Sequence, residues 1–279
     1  MLIINNLLKK YKNRTILNIP NFTFRDGLIY GIVGDNGSGK STLMKCMTNL
    51  VDYMGSVIID SQDVKKCPNV LKDVGVLIET PMFYNDMTAI QNLNYFLTNE
   101  KQVEPLLDEL GLLDVANKKV KTYSLGMKQK LGVALTCLKG SKVIILDEPF
   151  NGLDVNSVNV VINLLKEQKA KGKTIIVSSH MPNTIKKLCD EVYKIDDKHL
   201  RRLNSKDGCK YVFSFDSLED LKAAKHALKD DKNIQMSSIG IELIIESDDQ
   251  DEVKRIINIL ADYNMESYEK VSQELEAIY

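Results

Sequence analysis

The chain has 279 residues, an apolar fraction of 44% and a net charge of −1, with 37 basic against 38 acidic side chains. This length suits one large domain plus a small one, and the balanced charge gives no reason to expect a nucleic acid or an acidic partner. The five cysteines form no Cys-x-x-Cys pair, which fits a reducing cytosol. The N-terminus does not resemble a signal peptide, and no apolar run approaches the roughly 20 residues of a membrane span, so we expect a protein that is soluble by itself.

Strand-like segments open the chain at 2–8, 14–24 and 28–33, and the third leads into a glycine-rich loop. Its apolar run has the length and β-branched content of a buried strand, and a helical pattern begins at Ser41. A strand, a glycine loop that ends in Lys and Ser, and a helix together form a phosphate-binding P-loop. The residues that we expect to bind a nucleotide here are Gly34, Asp35, Asn36, Gly37, Ser38, Gly39, Lys40, Ser41 and Thr42.

The chemistry of this loop follows from its residue types. Glycines let the backbone fold around an anion so that successive N–H groups point inward, and the helix N-terminus adds partial positive charge. Lys40 is placed to reach the β- and γ-phosphates, and Ser41 to ligate Mg²⁺. Because P-loops serve kinases, GTPases, motors and transporters alike, the loop indicates what is bound but not what the binding drives.

Beyond the P-loop helix, the pattern predicts strands at 55–60 and 74–78 and helices at 89–98, 103–111 and 124–138. Strands and helices then alternate, as a parallel α/β sheet requires. These later elements are a strand at 143–147, a helix at 155–171, a strand at 174–178, a helix at 182–189 and strands at 191–196 and 199–203.

Two acids, Asp147 and Glu148, end the apolar strand that begins at Val143. A carboxylate at the carboxyl end of a parallel strand lies at the crevice where open α/β sheets bind ligands. Asp147 there can hold Mg²⁺ through its water shell, as phosphoryl transfer requires. Glu148 can orient or deprotonate the attacking water.

The order of motifs resembles the nucleotide-binding domain of an ATP-binding cassette (ABC) ATPase, over residues 1 to about 204. Besides the P-loop and the two acids, the resemblance depends on Tyr11 after the first strand, Tyr-Ser-Leu-Gly-Met at 123–127, Asn-Gly-Leu-Asp at 151–154 and Ser-Ser-His at 178–180. It implies an α/β P-loop NTPase fold with antiparallel β and helical subdomains, and it implies ATP and Mg²⁺ as the bound species.

The resemblance also implies residue roles. Tyr11 would stack on the adenine ring, and His180 would contact the γ-phosphate and position water together with Glu148. Ser124 and Gly126, in the signature motif, would contact ATP that is held by the opposite subunit, so the resemblance implies a homodimer in the ATP-bound state.

The chain departs from the family at two places. The signature motif has Leu125 and Met127 where the family has a glycine and a glutamine. Glu79 lies where the family usually has a glutamine that reaches Mg²⁺ and communicates with the membrane subunit. A carboxylate can still ligate a hard cation, so we count Glu79 among the candidate catalytic and metal-binding residues, and the alternative is drift to a side chain of similar shape.

The Glu79 loop, with Pro81, Phe83 and Tyr84 after it, and the run at 124–129 resemble a subgroup, the bacterial ATPases of bacitracin-resistance and lantibiotic self-immunity exporters. This implies an ATPase subunit that powers a separate transmembrane permease and is held by it at the cytoplasmic face of the cell membrane. A docking surface is then expected near residues 79–100, unless its side chains fill the core of the helical subdomain. The apolar and aromatic groups available there are Pro81, Met82, Phe83, Tyr84, Tyr95 and Phe96.

The rival hypothesis is a cytosolic, non-transport ABC ATPase that acts on nucleic acid or ribosomes. Such proteins usually carry two cassettes in one chain or a long coiled-coil insertion, and this sequence shows neither. Its balanced charge also argues against direct nucleic-acid binding.

A polar stretch at 204–208 is the best linker candidate and divides the chain into domains at 1–204 and 205–279. The second domain reads strand, helix, two strands, helix, strand and a short terminal helix, which is a small ferredoxin-like α+β arrangement. Because it has no glycine loop, ligand cluster or catalytic pair, we expect a structural or dimerising domain, with ligand sensing as the open alternative.

Overall fold

The computed structural model describes residues 1–97, 102–203, 209–228, 234–247 and 250–271. The chain divides into two compact units, Met1–Arg202 and Leu203–Tyr279. The predicted linker at 204–208 and the short helix predicted at the C-terminus lie outside the described residues.

The strands up to the predicted linker are β1 (Leu2–Tyr11), β2 (Arg14–Phe24), β3 (Ile29–Val33), β4 (Met54–Ile59), β5 (Gln62–Asp63), β6 (Val74–Leu77), β7 (Val143–Leu146), β8 (Thr174–Ser178), β9 (Glu191–Asp196) and β10 (His199–Leu203). The α-helices in the same part are α1 (Lys40–Met47), α2 (Ala89–Phe96), α3 (Val103–Glu109), α4 (Leu125–Lys139), α5 (Val155–Ala170) and α6 (Pro182–Leu188). Short 3₁₀ helices lie at Pro68–Asp73, Leu113–Val115 and Val120–Thr122.

The central sheet of the first unit has the strand order β10-β9-β3-β8-β7-β6. Its pairs β9·β3, β3·β8, β8·β7 and β7·β6 are parallel, and every residue of β3, β7 and β8 is buried. Parallel strands are covered on both faces, which explains why these segments are continuously apolar in sequence. The carboxyl ends of β3, β7 and β8 meet at one edge, so the P-loop, the two acids and the histidine motif are brought together there.

A second sheet, with the order β2-β1-β4-β5, is antiparallel. One buried apolar cluster contains side chains from this sheet, from α1 and from the central sheet, among them Leu7, Leu17, Leu43, Met44 and Ile145. Burial of this shared cluster fixes α1, and with it the end of the P-loop, between the two sheets.

The fold class predicted from the sequence is confirmed, and most boundaries differ by only a few residues. The largest difference is β1, which was predicted to end at residue 8 and continues to Tyr11. Its last residues stay in the sheet because Lys10 pairs with Thr15 and Tyr11 with Arg14, after an irregularity in the register. The sequence did not indicate the short β5 or the 3₁₀ helix Pro68–Asp73.

The second unit contains β11 (Cys209–Phe215), α7 (Leu218–Ala227), β12 (Gln235–Ile239), β13 (Glu242–Ser247), α8 (Gln250–Leu260) and β14 (Met265–Val271). Its antiparallel sheet has the order β12-β13-β11-β14, which together with the βαββαβ sequence is the ferredoxin-like arrangement. Its core contains buried side chains from both helices and the sheet, such as Phe213, Phe215, Leu243 and Ile256. None of the helices in the described ranges is long and apolar enough to cross a lipid bilayer.

The loop before α2 is held by a buried asparagine. Asn92 is fully buried, and its Oδ1 accepts a hydrogen bond from the Tyr84 N–H at 2.8 Å. Its Nδ2 donates to the carbonyl oxygens of Tyr84 at 3.1 Å and of Thr88 at 2.9 Å. Thr88 also caps α2 in a reciprocal capping box with Gln91. The loop and the start of α2 are therefore joined by side-chain hydrogen bonds.

We expect Asn92→Ala to lower the free energy of unfolding by about 1–3 kcal/mol, because it removes three hydrogen bonds from a buried side chain to the backbone of Tyr84 and Thr88. Urea unfolding followed by circular dichroism measures the change. The matched control is Asn163→Ala on the exposed side of α5, which should stay within about 0.5 kcal/mol of the unsubstituted protein. Equal losses in the two variants would contradict this role of Asn92.

Candidate nucleotide-binding site

The P-loop joins β3 to α1, and two of the glycines that it depends on are Gly37 and Gly39. Gly37 has φ of 82° and Gly39 has φ of 113°, in the left-handed region that other residues rarely adopt. A Cβ atom at Gly39 would lie 3.0 Å from Leu17 Cδ2, whereas one at Gly37 would meet nothing within 4 Å. Since Gly37 lines the cavity described below, a side chain there would occupy the space that the loop leaves for a ligand.

The positive charge of the loop comes from Lys40, which is buried. Its Nζ donates to the carbonyl oxygens of Gly34 at 2.6 Å and Asp35 at 3.2 Å. The Ser38 Oγ is also buried, and it has no hydrogen-bond partner among the residues that the structure describes. A buried ammonium and an unmatched buried hydroxyl, on a loop that starts a helix, fit the binding of a phosphate chain.

A cavity of about 280 Å³ lies against this loop. It brings the P-loop together with Tyr11 from β1 and Glu148 from the end of β7. The lining residues are Tyr11, Ile16, Asn36, Gly37, Gly39, Lys40, Ser41, Thr42 and Glu148.

Tyr11 presents an aromatic ring at this cavity, with 47% of the residue exposed. The Nζ of Lys9 lies 4.2 Å from the ring centroid and donates to the Asp52 carbonyl oxygen at 2.6 Å. Lys9 is itself buried, so the ring is supported by a fixed cation through a cation–π contact. An exposed, supported ring is suited to stacking on a planar base.

The two acids at the end of β7 are held by Ser178, the last residue of β8. The Ser178 Oγ donates to Asp147 Oδ1 at 2.6 Å and accepts from the Glu148 N–H at 2.9 Å. The Asp147 N–H donates to the carbonyl oxygen of Leu77 at 2.7 Å. Asp147 is buried at 4% exposure, so its position is fixed by contacts from both neighbouring strands.

Glu148 is held in an uncommon conformation, with φ of 48°. Its Oε2 lies 2.8 Å from Nδ1 of His180 and accepts from the His180 N–H at 3.3 Å. From α4, the buried side chain of Gln129 donates to the Glu148 carbonyl oxygen at 3.2 Å. Backbone strain of this kind concentrates at functional sites, and a carboxylate that lines the P-loop cavity can accept a proton from a water molecule there.

Ser124 and Gly126 are not among the described residues that line the cavity of their own chain. Ser124 is exposed and caps α4, where its Oγ accepts from the Met127 N–H at 3.2 Å. A Cβ atom at Gly126 would lie 2.8 Å from the Gly152 carbonyl oxygen. The signature motif therefore packs tightly on the loop at 151–154, and the two motifs form one surface.

Glu79 follows β6 with φ of 62° and forms an ion pair with Lys45 of α1. The hydrogen bond to Glu79 raises the pKa of Lys45 above its ordinary value, against the opposing effect of desolvation. The charge of Glu79 and the nearby groups Tyr11 and Asp147 raise this pKa further. The sequence did not indicate this pair, because its members are separated by 34 positions.

Sequence reasoning also missed the roles of Ser178 and Gln129. Both belong to stretches that the resemblance had singled out, at 178–180 and 124–129, but their partners belong to other elements. The position of Ser178 at the end of a buried strand was the available signal, since a hydroxyl there lies close to the ends of the neighbouring strands.

In the described part of the chain, no group of three or more His, Cys, Asp or Glu side chains is arranged to hold a metal ion. Mg²⁺ that arrives with a nucleotide needs only one or two protein ligands, because phosphate oxygens and water supply the rest. The Ser41 hydroxyl at the cavity and the fixed carboxylate of Asp147 suit that smaller role. The donors therefore fit a magnesium–nucleotide complex better than a metal ion alone.

Comparison with known proteins agrees with this geometry. Residues 17–151 match the ABC transporter family. The lantibiotic transport ATP-binding protein SrtF of Streptococcus pyogenes is 38% identical over 195 residues, which are 68% of this chain and 84% of that protein. The bacitracin transport ATP-binding protein BcrA of Enterococcus faecalis is 36% identical over 203 residues, 70% of this chain and 66% of that protein.

Solved structures show the same fold. The ATP-binding subunit of an ABC transporter superimposes with a TM-score of 0.69 at 27% identity, and the match covers 74% of this chain and 91% of that one. A nucleotide-free ATP-binding cassette from an ABC transporter superimposes with a TM-score of 0.62 at 21% identity, and the match covers 72% of this chain and 89% of that one. This second match supports the fold. The chain therefore belongs to the ATP-binding proteins of ABC transporters and is an ATPase of that family.

Proposed function

We propose that this ATPase powers a separate membrane permease that exports antimicrobial peptides of the lantibiotic or bacitracin type, as a means of self-immunity or resistance. Relatives named for lantibiotic and bacitracin transport support this substrate class. The observation that carries the catalytic part is the Glu148–His180 pair, whose carboxylate lines the same cavity as Lys40.

In this proposal, Lys40 exchanges its bonds to the Gly34 and Asp35 carbonyl oxygens for the β- and γ-phosphates of ATP. Glu148 accepts a proton from the attacking water, and His180 keeps the carboxylate in place and contacts the γ-phosphate. Ser41 and Asp147, with Glu79 as a third candidate, would hold Mg²⁺, which would neutralise charge on the phosphates. Tyr11 stacks on the adenine ring.

A second copy of the chain completes each site. Ser124 is exposed, and the helix that it starts offers free N–H groups to an anion. The apolar side chains of Leu125 and Val155 lie at the start of α4 and α5 with 60% and 78% of each residue exposed. Exposed apolar groups beside a polar anion-binding surface suit an interface that closes on ATP held by the partner.

Four residues, which we call the aromatic patch, form the candidate docking surface for the permease. They are Met82, Tyr84, Tyr95 and Phe96, with exposures of 89%, 48%, 62% and 39%. The ring centroids of Tyr84 and Tyr95 are 5.2 Å apart, and those of Tyr95 and Phe96 are 5.1 Å apart. This exposure favours docking over the alternative that these side chains fill the helical core, because interfaces are enriched in aromatic residues and Met. Docking here would hold the subunit at the cytoplasmic face of the membrane.

Lys40→Ala should weaken ATP binding by at least about tenfold, since it removes charge-assisted hydrogen bonds to the phosphates. Binding of a fluorescent ATP analogue and release of phosphate measure the loss. Lys139→Ala, at an exposed position at the end of α4, is the control for removal of a lysine and should behave like the unsubstituted protein. Normal hydrolysis by Lys40→Ala would refute the P-loop assignment.

Glu148→Gln should lower turnover by about 10²–10⁴-fold while ATP still binds, because the amide cannot accept the proton. The stalled protein should then accumulate as an ATP-dependent dimer in size-exclusion chromatography with light scattering. Adding Ser124→Arg should return the Glu148→Gln protein to a monomer. Glu167→Gln, on the exposed face of α5, is the control for loss of a carboxylate charge. An ATP-loaded Glu148→Gln protein that stays monomeric would count against the shared site.

Replacing Met82 and Tyr95 of the aromatic patch by Ser should leave ATP hydrolysis by the isolated subunit unchanged but weaken its co-purification with the permease from native membranes. The same variant should lower cellular resistance to bacitracin and to cationic peptides. Ile239→Ser, at an exposed apolar position of the second unit, is the control. Full resistance with the double substitution would contradict the assignment of the aromatic patch as the docking surface. If resistance to these compounds does not depend on the ATPase at all, the proposed substrate class is wrong.

A further inference from the structure

We propose that Lys45 is a positioning residue that holds the Glu79 carboxylate in the nucleotide-free protein and competes with Mg²⁺ for it when a nucleotide binds. The inference rests on the proposed function, in which Glu79 acts at the magnesium–nucleotide complex. Lys45, which lies outside the P-loop motif, thereby has a role, and the presence of an acid at position 79, where the family has a glutamine, has a physical reason.

The two residues come from elements that the fold places beside the candidate site. Lys45 lies on α1, five positions after Lys40, and Glu79 follows β6 by two residues. The end of β6 is tied to the acids, since the carbonyl oxygen of Leu77 accepts the N–H of Asp147 at 2.7 Å. The ion pair thus links the P-loop helix to the loop that leaves the sheet next to Asp147.

The backbone of Glu79 indicates that its conformation must be held by contacts. A φ of 62° is unfavourable for a residue with a side chain, and such conformations persist only where the surroundings restrain them. The ion pair with Lys45 restrains the side chain of this residue directly. A glutamine at this position would lack the charge that makes this contact an ion pair.

Charge balance gives the pair a second purpose. Asp147 and Glu148 already place two carboxylates at this edge of the sheet, and a third near the phosphates would repel ATP. Lys45 neutralises Glu79 until a divalent cation, which carboxylate oxygens bind well, is present. Because 29% of the Lys45 side chain and 65% of the Glu79 side chain are exposed, solvent screens the pair and its exchange for Mg²⁺ is readily achieved.

The test measures how strongly Mg²⁺ enhances the binding of N-methylanthraniloyl ATP. The readout is the dissociation constant in EDTA divided by the dissociation constant in excess Mg²⁺. The full-length proteins to be measured are the unsubstituted chain, Lys45→Met, Glu79→Gln and the double variant. Lys45→Arg retains the cation, Lys45→Gln replaces Lys45→Met if the latter does not fold, and Lys166→Met on the exposed face of α5 controls for loss of a lysine.

Lys45→Met should raise this ratio by about two- to fivefold, which is the factor that corresponds to an exposed ion pair. In the Glu79→Gln background the same substitution should leave the ratio unchanged, and Lys45→Arg and Lys166→Met should match the unsubstituted protein. Equal effects of Lys45→Met in both backgrounds, or no effect in either, would overturn the inference while the proposed function stands. Absence of Mg²⁺-dependent binding by the unsubstituted protein would overturn both.

Discussion

The hydroxyl group of Ser178 joins the carboxyl ends of β7 and β8, and the arrangement of the candidate site depends on it. It donates to the side chain of Asp147 and accepts from the backbone of Glu148, so one small group fixes both acids. Such a bridge is possible only because β7 and β8 are adjacent and parallel, which makes their ends coincide. The Glu148 carboxylate is then left to contact His180 and to line the cavity.

Electrostatic balance is the second constraint on the site. The buried ammonium of Lys40 stays inside the P-loop by bonding to backbone carbonyl oxygens, which lowers the cost of burying a charge before a phosphate arrives. Across the site, the proposed exchange of Glu79 between Lys45 and Mg²⁺ follows the same logic. In both places a polar or charged group of the protein contacts the side chain that would meet the nucleotide or its Mg²⁺.

Two sets of candidate residues outside the cavity share one property, which is exposure. Ser124 and Leu125 of the signature motif and the side chains of the aromatic patch lie open to solvent. Each set is nevertheless anchored from within, by close packing of Gly126 on Gly152 and by the hydrogen bonds of Asn92. Surfaces that are exposed but locally ordered are suited to partners, and we propose a second copy at the signature motif and a permease at the aromatic patch.

By itself, the sequence determined the fold class and the βαββαβ order of the second unit, and it predicted the main binding residues. Buried parallel strands, glycine loops and helix starts are local patterns that need no knowledge of distant neighbours. The P-loop, the two acids and the resemblance to ABC ATPases were all readable in this way. Only the tertiary structure decided which side chains hold those residues in place. These contacts join different elements or lie across one strand face: Ser178 bonds to the acids, Gln129 bonds to Glu148, Lys9 contacts the Tyr11 ring and Lys45 pairs with Glu79. Their geometry exists only once the sheet order and the packing of α1 and α4 are established.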